Sequence, residues 1–240
     1  MLARVELARM VLARLKMAQV RMAGLVMRCM VIQRMLKRLF TLLKAFSLAG
    51  LLLLSACTEE PVKWSLYDVS GHLPDLNFSL QAAGNKTFTQ DDLKGKTVLM
   101  FFGYASCPDI CPTTMAQLSE VIAKLGDEAK DVRIIFISVD PHRDTPDMLQ
   151  AYVDAFNKNA IGLTGKEDQI QNLARKYRIA YQIEKPKAGD NAEVYDVTHS
   201  RGVFIFDNQG KARLLASDTE AVDLVTKDVR QLLRITAGKK

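Results

Sequence analysis

Cysteine is scarce in this chain, with four among 240 residues, and two of them, Cys29 and Cys57, fall in a leading stretch unlike the rest. Cys107 and Cys111 are then the only thiols in the part expected to fold, too few for the disulfide framework of a small exported domain. An iron-sulfur cluster in its usual form needs four cysteines and is excluded. Excess positive charge is missing from that part too, although the whole chain carries +6. Residues 1–56 hold ten Lys or Arg against one acid, Glu6, which leaves 23 basic and 26 acidic residues afterwards, a net charge of −3. The isoelectric point near 9.1 therefore reflects the leading stretch. No basic patch with interleaved aromatics follows it, so nucleic-acid binding has no support. Internal repeats and low-complexity tracts are absent as well.

From Met35 the chain reads as a secretory signal: a short basic start (Lys37, Arg38, Lys44), then twelve mostly apolar residues from Ala45 to Ala56. Twelve are too few for a comfortable membrane-spanning helix, which argues against an uncleaved anchor. The ending Leu54-Ser55-Ala56-Cys57 resembles a bacterial lipobox, which implies that Cys57 is acylated and tethers the domain to a membrane. Residues 1–34, rich in Met and Arg, precede a signal that is already complete, and are read as a spurious or unstructured extension. A Met-rich copper-binding role for them is disfavoured because their arginines would repel a cation. The expected organisation is thus an extension (1–34), a lipoprotein signal (35–56), a linker (57–75) and one folded domain (76–240).

Within that domain Leu76–Leu80 and Lys86–Thr89 flank Ala83-Gly84-Asn85 as a hairpin. Continuous apolar runs at Thr97–Gly103 and Val132–Val139 have the length of buried strands. A helix is expected from Pro112 to about Leu125. Thr145-Pro146-Asp147 is a strong start for another, with a capping hydroxyl, proline at the first helical position and an acid in the first turn. A short segment at Ala160–Leu163, a helix over Glu167–Tyr177, a hairpin of Gly202–Phe206 with Lys211–Leu215, and a closing helix over Thr219–Ile235 complete the pattern. This order predicts an α/β fold of thioredoxin-like type: a central mixed sheet flanked by helices, with an extra N-terminal β-hairpin.

Cys107 and Cys111 stand where a buried strand gives way to a helix, and each precedes a proline (Pro108, Pro112). A residue before proline is disfavoured in the α region, so the pair is placed in a turn, with Cys111 as the N-cap of the helix starting at Pro112. Unsatisfied amides and the helix dipole there would lower the Cys111 thiol pKa, favouring the thiolate that attacks disulfides and binds metals. The bland alternative is an inert disulfide, but so short a loop removes little unfolded-state entropy. His199 supplies an imidazole just before the Gly202–Phe206 strand, in a loop that a thioredoxin-like sheet brings beside the first helix's N-terminus. Single histidines are often ordinary surface or core residues, so a ligand role needs the fold to confirm it. Two thiolates and one imidazole would fill a trigonal Cu(I) site. Zinc normally takes four protein ligands, and the remaining histidines, His72 and His142, lie in the linker and in the loop after Val132–Val139.

Three segments resemble the signatures of the SCO/SenC family: Cys107-Pro108-Asp109-Ile110-Cys111-Pro112, Ser138-Val139-Asp140-Pro141-His142-Arg143-Asp144-Thr145-Pro146 and Val197-Thr198-His199-Ser200. The resemblance covers about residues 60–236. It implies a membrane-tethered, thioredoxin-like copper protein that assists maturation of the dinuclear copper centre of cytochrome c oxidase. Cys107, Cys111 and His199 would be the copper ligands, Cu(I) being favoured and Cu(II) the alternative, and the two cysteines could form a reversible disulfide. Asp140 would act around the ligands or in docking a partner. The implied partners are the oxidase subunit bearing that centre or another periplasmic copper chaperone, and the implied location is the periplasmic side of a bacterial cell envelope. A metallochaperone is expected before an enzyme. The alternative is a dedicated thiol-disulfide oxidoreductase, although three residues between the cysteines and the lack of a proline before the Gly202 strand depart from thioredoxin-like reductases. A peroxidase is disfavoured because Tyr104 stands where peroxiredoxins usually place threonine.

Overall fold

The structure, a computed structural model, describes residues 30, 33–41, 44, 62–184, 195–217 and 221–237. The chain divides into two units, Met1–Val62 and Lys63–Lys240. In the first, residues 33–41 are helical, and the Thr41 hydroxyl donates to the Lys37 carbonyl at 2.6 Å. Cys29, Cys57 and most of the extension and signal lie outside the described residues. Among the described residues no helix is long and apolar enough to cross a membrane.

The second unit is built on a six-stranded mixed sheet of order β1-β10-β9-β4-β5-β6. Its centre is β4 (Thr97–Gly103), buried along its whole length, with β5 (Val132–Ser138) parallel on one side and β9 (Val203–Phe206) antiparallel on the other. β6 (Ala160–Leu163) extends the parallel half, while β10 (Ala212–Ala216) and the short β1 (Tyr67–Asp68) extend the antiparallel half. Successive strand residues point to opposite faces, so runs without polar interruption need cover on both. Leu99, Phe101, Ile134 and Phe136 pack on the face covered by α1 (Ile110–Leu125), α2 (Pro146–Asp154) and α4 (Val222–Thr236). Val98, Met100, Phe102, Ile135 and Ile137 pack on the other, against α3 (Glu167–Lys176) and the hairpin of β2 (Ser79–Ala82) and β3 (Lys86–Thr89). This is the thioredoxin-like layered arrangement expected, hairpin included.

Local chemistry explains the boundaries. The Thr145 hydroxyl accepts the Met148 N–H at 3.3 Å and Pro146 opens α2, as the sequence signal requires. Two features depart from expectation. Residues placed in the linker join the domain: β1 pairs with β10, Leu66 is buried, and the Asp228 carboxylate accepts the Ser65 and Leu66 N–H groups at 2.6 and 2.8 Å. A two-residue edge strand carries no readable periodicity, and the α4 carboxylate that holds Ser65 and Leu66 just before it is more than 150 residues away. A separate two-stranded sheet also forms from β7 (Tyr181–Ile183) and β8 (Val197–His199), each too short to be read as a strand.

Asp228 is fully buried, and removing its carboxylate strands two backbone donors. Asp228→Ala is expected to destabilise the protein by about 1–3 kcal/mol, measured as a lower urea midpoint with faster hydrogen exchange at residues 65 and 66. An unchanged midpoint would show that this clamp carries no stability.

Candidate metal centre

The site forms where β4 ends against α1. Gly103, the last residue of β4, has no room for a side chain: a Cβ there would lie 2.6 Å from Cys111 Sγ and 2.9 Å from the Phe136 ring. Glycine thus lets the sulfur sit directly on the strand end, and Cys111 is fully buried in the core that holds Met115 and Leu118.

Cys111 is not the helix cap. α1 starts at Ile110, one residue before it, and Pro112 occupies the first turn, where its missing N–H would have had no intrahelical partner. The group over the helix end is instead Cys107 Sγ, which accepts the Cys111 N–H at 3.4 Å. This reverses the expected electrostatics. Burial pushes the Cys111 thiol well up, and the neighbouring Cys107 sulfur adds to the effect. Burial also acts to raise Cys107, but the backbone N–H groups of Cys111, Asp109 and Ile110 outweigh it and lower that thiol. The half-exposed Cys107 is therefore the readier thiolate.

His199 arrives from β8, whose backbone pairs with β7 and not with the main sheet. Its Nε2 lies 3.5 Å from Cys111 Sγ, and its Nδ1 lies 3.0 Å from the Ser200 carbonyl. A carbonyl oxygen only accepts, so Nδ1 carries the proton and Nε2 turns its lone pair to the sulfurs. Burial lowers the His199 pKa, with the Arg201 charge acting in the same direction and the Ser200 carbonyl opposing, a balance that favours the neutral imidazole. Its ring meets Phe101 and Tyr104 edge-on, with centroids 6.1 and 5.9 Å away. One donor atom from each of Cys107, Cys111 and His199 falls within 4.8 Å of the others.

The other sequence candidates separate. Asp140 is fully buried and outside the donor cluster; it pairs with Arg143 Nε and accepts the Tyr195 hydroxyl at 2.8 Å, close to the start of β8. His142 is exposed and lies 3.6 Å from Glu167, away from the cluster. Sequence reasoning missed Gly103 and Ser200. A glycine closing an otherwise apolar strand was the available signal for the first. Ser200 joins β8 twice to Ala180, its N–H donating to the Ala180 carbonyl at 2.7 Å and its Oγ accepting the Ala180 N–H at 2.9 Å.

The SCO1/SenC family model matches residues 72–234. The chain belongs to the SCO1/SenC family. A SCO2-like protein of Rickettsia felis is 36% identical over 135 residues, which are 56% of this chain and 65% of that protein. The match thus spans just under two thirds of that relative's length. Among solved structures, Arabidopsis thaliana ScoI with copper bound is similar at 34% identity and a TM-score of 0.60, over 67% of this chain and 98% of that one. BsSco, a member of the Sco family of cytochrome c oxidase assembly proteins with an identified disulfide switch, is similar at 26% identity and a TM-score of 0.50, over 72% of this chain and 98% of that one. As a SCO1/SenC chain, this protein carries Cys107, Cys111 and His199 within the matched residues.

Two outcomes are expected of the reduced, metal-free protein. Iodoacetamide alkylates Cys107 well before Cys111, read by peptide mass spectrometry; equal rates would contradict the division of burial and charge between the sulfurs. Gly103→Ala overpacks the strand end and lowers stability by about 1–3 kcal/mol, read by denaturant unfolding. A variant as stable as the parent would show that the Cys111 sulfur has room to move.

Proposed function

We propose that this chain is a membrane-tethered copper metallochaperone serving the dinuclear copper centre of cytochrome c oxidase, by delivering the ion or by preparing the acceptor's thiols. The observation that carries the proposal is the convergence of two sulfurs and one imidazole nitrogen within 4.8 Å. Copper here is cargo. Soft thiolates with a neutral imidazole suit Cu(I) in trigonal coordination, and among the described residues no fourth ligating side chain joins them to complete a structural zinc site. The similarity to a ScoI with copper bound supports the metal, and the similarity to BsSco supports the oxidase as client. Cu(I) is the favoured state and Cu(II) the alternative. The partner of this reading is the oxidase subunit bearing the centre, with another periplasmic copper chaperone as a further one.

The unequal burial of the donors suits handover. Cys107 is reachable by an incoming ligand, Cys111 is held in the core, and His199 belongs to a separate small sheet. An acceptor thiolate could replace one bond at a time while the buried sulfur keeps hold of the ion. The tether of this reading is a lipid on Cys57 after removal of residues 35–56, with residues 57–62 leading to the domain on the periplasmic face.

A second reading, a dedicated thiol-disulfide oxidoreductase, is favoured by the lowered Cys107 thiol beside a second sulfur. Cys107 thiolate would attack a client disulfide and expel one client thiolate. Cys111 would then displace the other, leaving the client reduced and Cys107–Cys111 oxidised.

Anaerobic titration of the reduced protein with Cu(I) is expected to saturate at one equivalent. His199→Ala should weaken binding by at least about tenfold, the scale on which changes around metal ligands act, while disulfide exchange with a model substrate persists. Equal copper affinity in both proteins would remove His199 from the donor set and with it the trigonal centre.

A further inference from the structure

His199 differs from the two sulfurs in how it is held. Cys107 and Cys111 are continuous with β4 and α1, whereas β8 has no backbone pairing with the main sheet. The position of the imidazole therefore depends on side chains that pin the β7–β8 arm to the rest of the domain. Ser200 joins β8 only to Ala180, just before β7, and so closes the arm on itself.

Val197 of β8 is buried in the core and its backbone hydrogen-bonds the Tyr104 side chain, and a further, polar link from the arm to the domain runs through Arg143, in the loop after β5. Its Nε pairs with the buried Asp140 carboxylate, and its Nη1 donates to the Tyr195 carbonyl at 3.0 Å, two residues before β8 begins. The guanidinium also lies 3.7 Å over the Tyr195 ring, whose hydroxyl returns to the other Asp140 oxygen at 2.8 Å. Asp140, Arg143 and Tyr195 thus form a closed triangle joining the loop after β5 to the start of the arm. Asp140 is itself fixed, its N–H donating to Ser138 Oγ at 3.0 Å. The guanidinium also lies 5.7 Å from the Tyr104 ring centroid, and Tyr104 meets the His199 ring edge-on.

We propose that Arg143 is a positioning residue: it pins the start of β8 to the loop after β5 and so presents His199 to the two sulfurs. The inference rests on the copper reading for its functional meaning, because the donor it controls is the imidazole alone. Loss of the pin leaves both sulfurs in place and withdraws the nitrogen, turning a three-donor site into a two-sulfur one. Lysine cannot replace Arg143 in full, since a single ammonium cannot pair with Asp140, reach the Tyr195 carbonyl and stack on the ring together.

Four full-length proteins decide this: the parent, Arg143→Ala, His199→Ala and the double variant, each titrated anaerobically with Cu(I) against a chromophoric chelator. Arg143→Ala is expected to weaken binding by about 10–100-fold in the parent background and to have no further effect once His199 is gone. X-ray absorption of the Arg143→Ala copper complex should show two sulfur donors and no imidazole. Equal losses in both backgrounds, or an imidazole still bound to copper in Arg143→Ala, would overturn the proposal. A metal-independent measurement separates it from the copper reading. In the metal-free protein, hydrogen exchange at residues 197–200 should quicken at least about tenfold in Arg143→Ala, while β4 and β5 keep their protection. Unchanged exchange there sinks the positioning role whatever copper does. Absence of copper binding by the parent, with faster exchange in the variant, would sink the copper reading and leave the positioning role standing.

Discussion

The close approach of Cys111 Sγ to the backbone of Gly103 is the constraint on which the site depends. A Cβ at that position would occupy space already held by the sulfur and by Phe136. Because the strand end is bare, the first turn of α1 can settle directly on it, and the sulfur becomes part of the core. Everything else is arranged around that sulfur. Cys107 lies one turn back over the helix end, and the imidazole of His199 closes the remaining side.

The same packing separates two thiols that are chemically identical in the sequence. Cys111 gives up solvent and carries a raised pKa, while Cys107 keeps partial exposure and gains three backbone donors that favour its thiolate. Between them stands a neutral histidine whose tautomer is set by a carbonyl. Such a cluster has one buried sulfur, one accessible sulfur and one imidazole on a separate element. A rigid structural metal site has no use for that asymmetry, whereas ligand exchange and thiol exchange both do.

The buried strands of the sheet centre, the hairpin and the start of α2 were legible because each is written locally. Thr97–Gly103 and Val132–Ser138 are apolar without interruption, and Thr145-Pro146 caps and opens a helix by its own chemistry. Interactions between distant segments left no such mark. β1 is two residues long, with the residues just before it held by Asp228, and β8 is three residues long and faces β7 across residues 184–196. The placement of Cys111 as a helix cap went astray for a related reason. The rule that a residue before proline avoids the α region is a local preference, and packing against β4 overrode it.

By its sequence alone this chain determined which donors it could offer: two thiols, one imidazole within reach of a recognisable signature, and too few cysteines for a cluster or a disulfide framework. It also determined the layered α/β fold, since uninterrupted apolar strands leave few other ways to cover both faces of a sheet. Only the tertiary structure decided which sulfur is buried, which is charged more readily and how the imidazole is aimed. Those properties depend on desolvation and on contacts between segments nearly ninety residues apart, such as Cys111 with His199, and no local pattern encodes them.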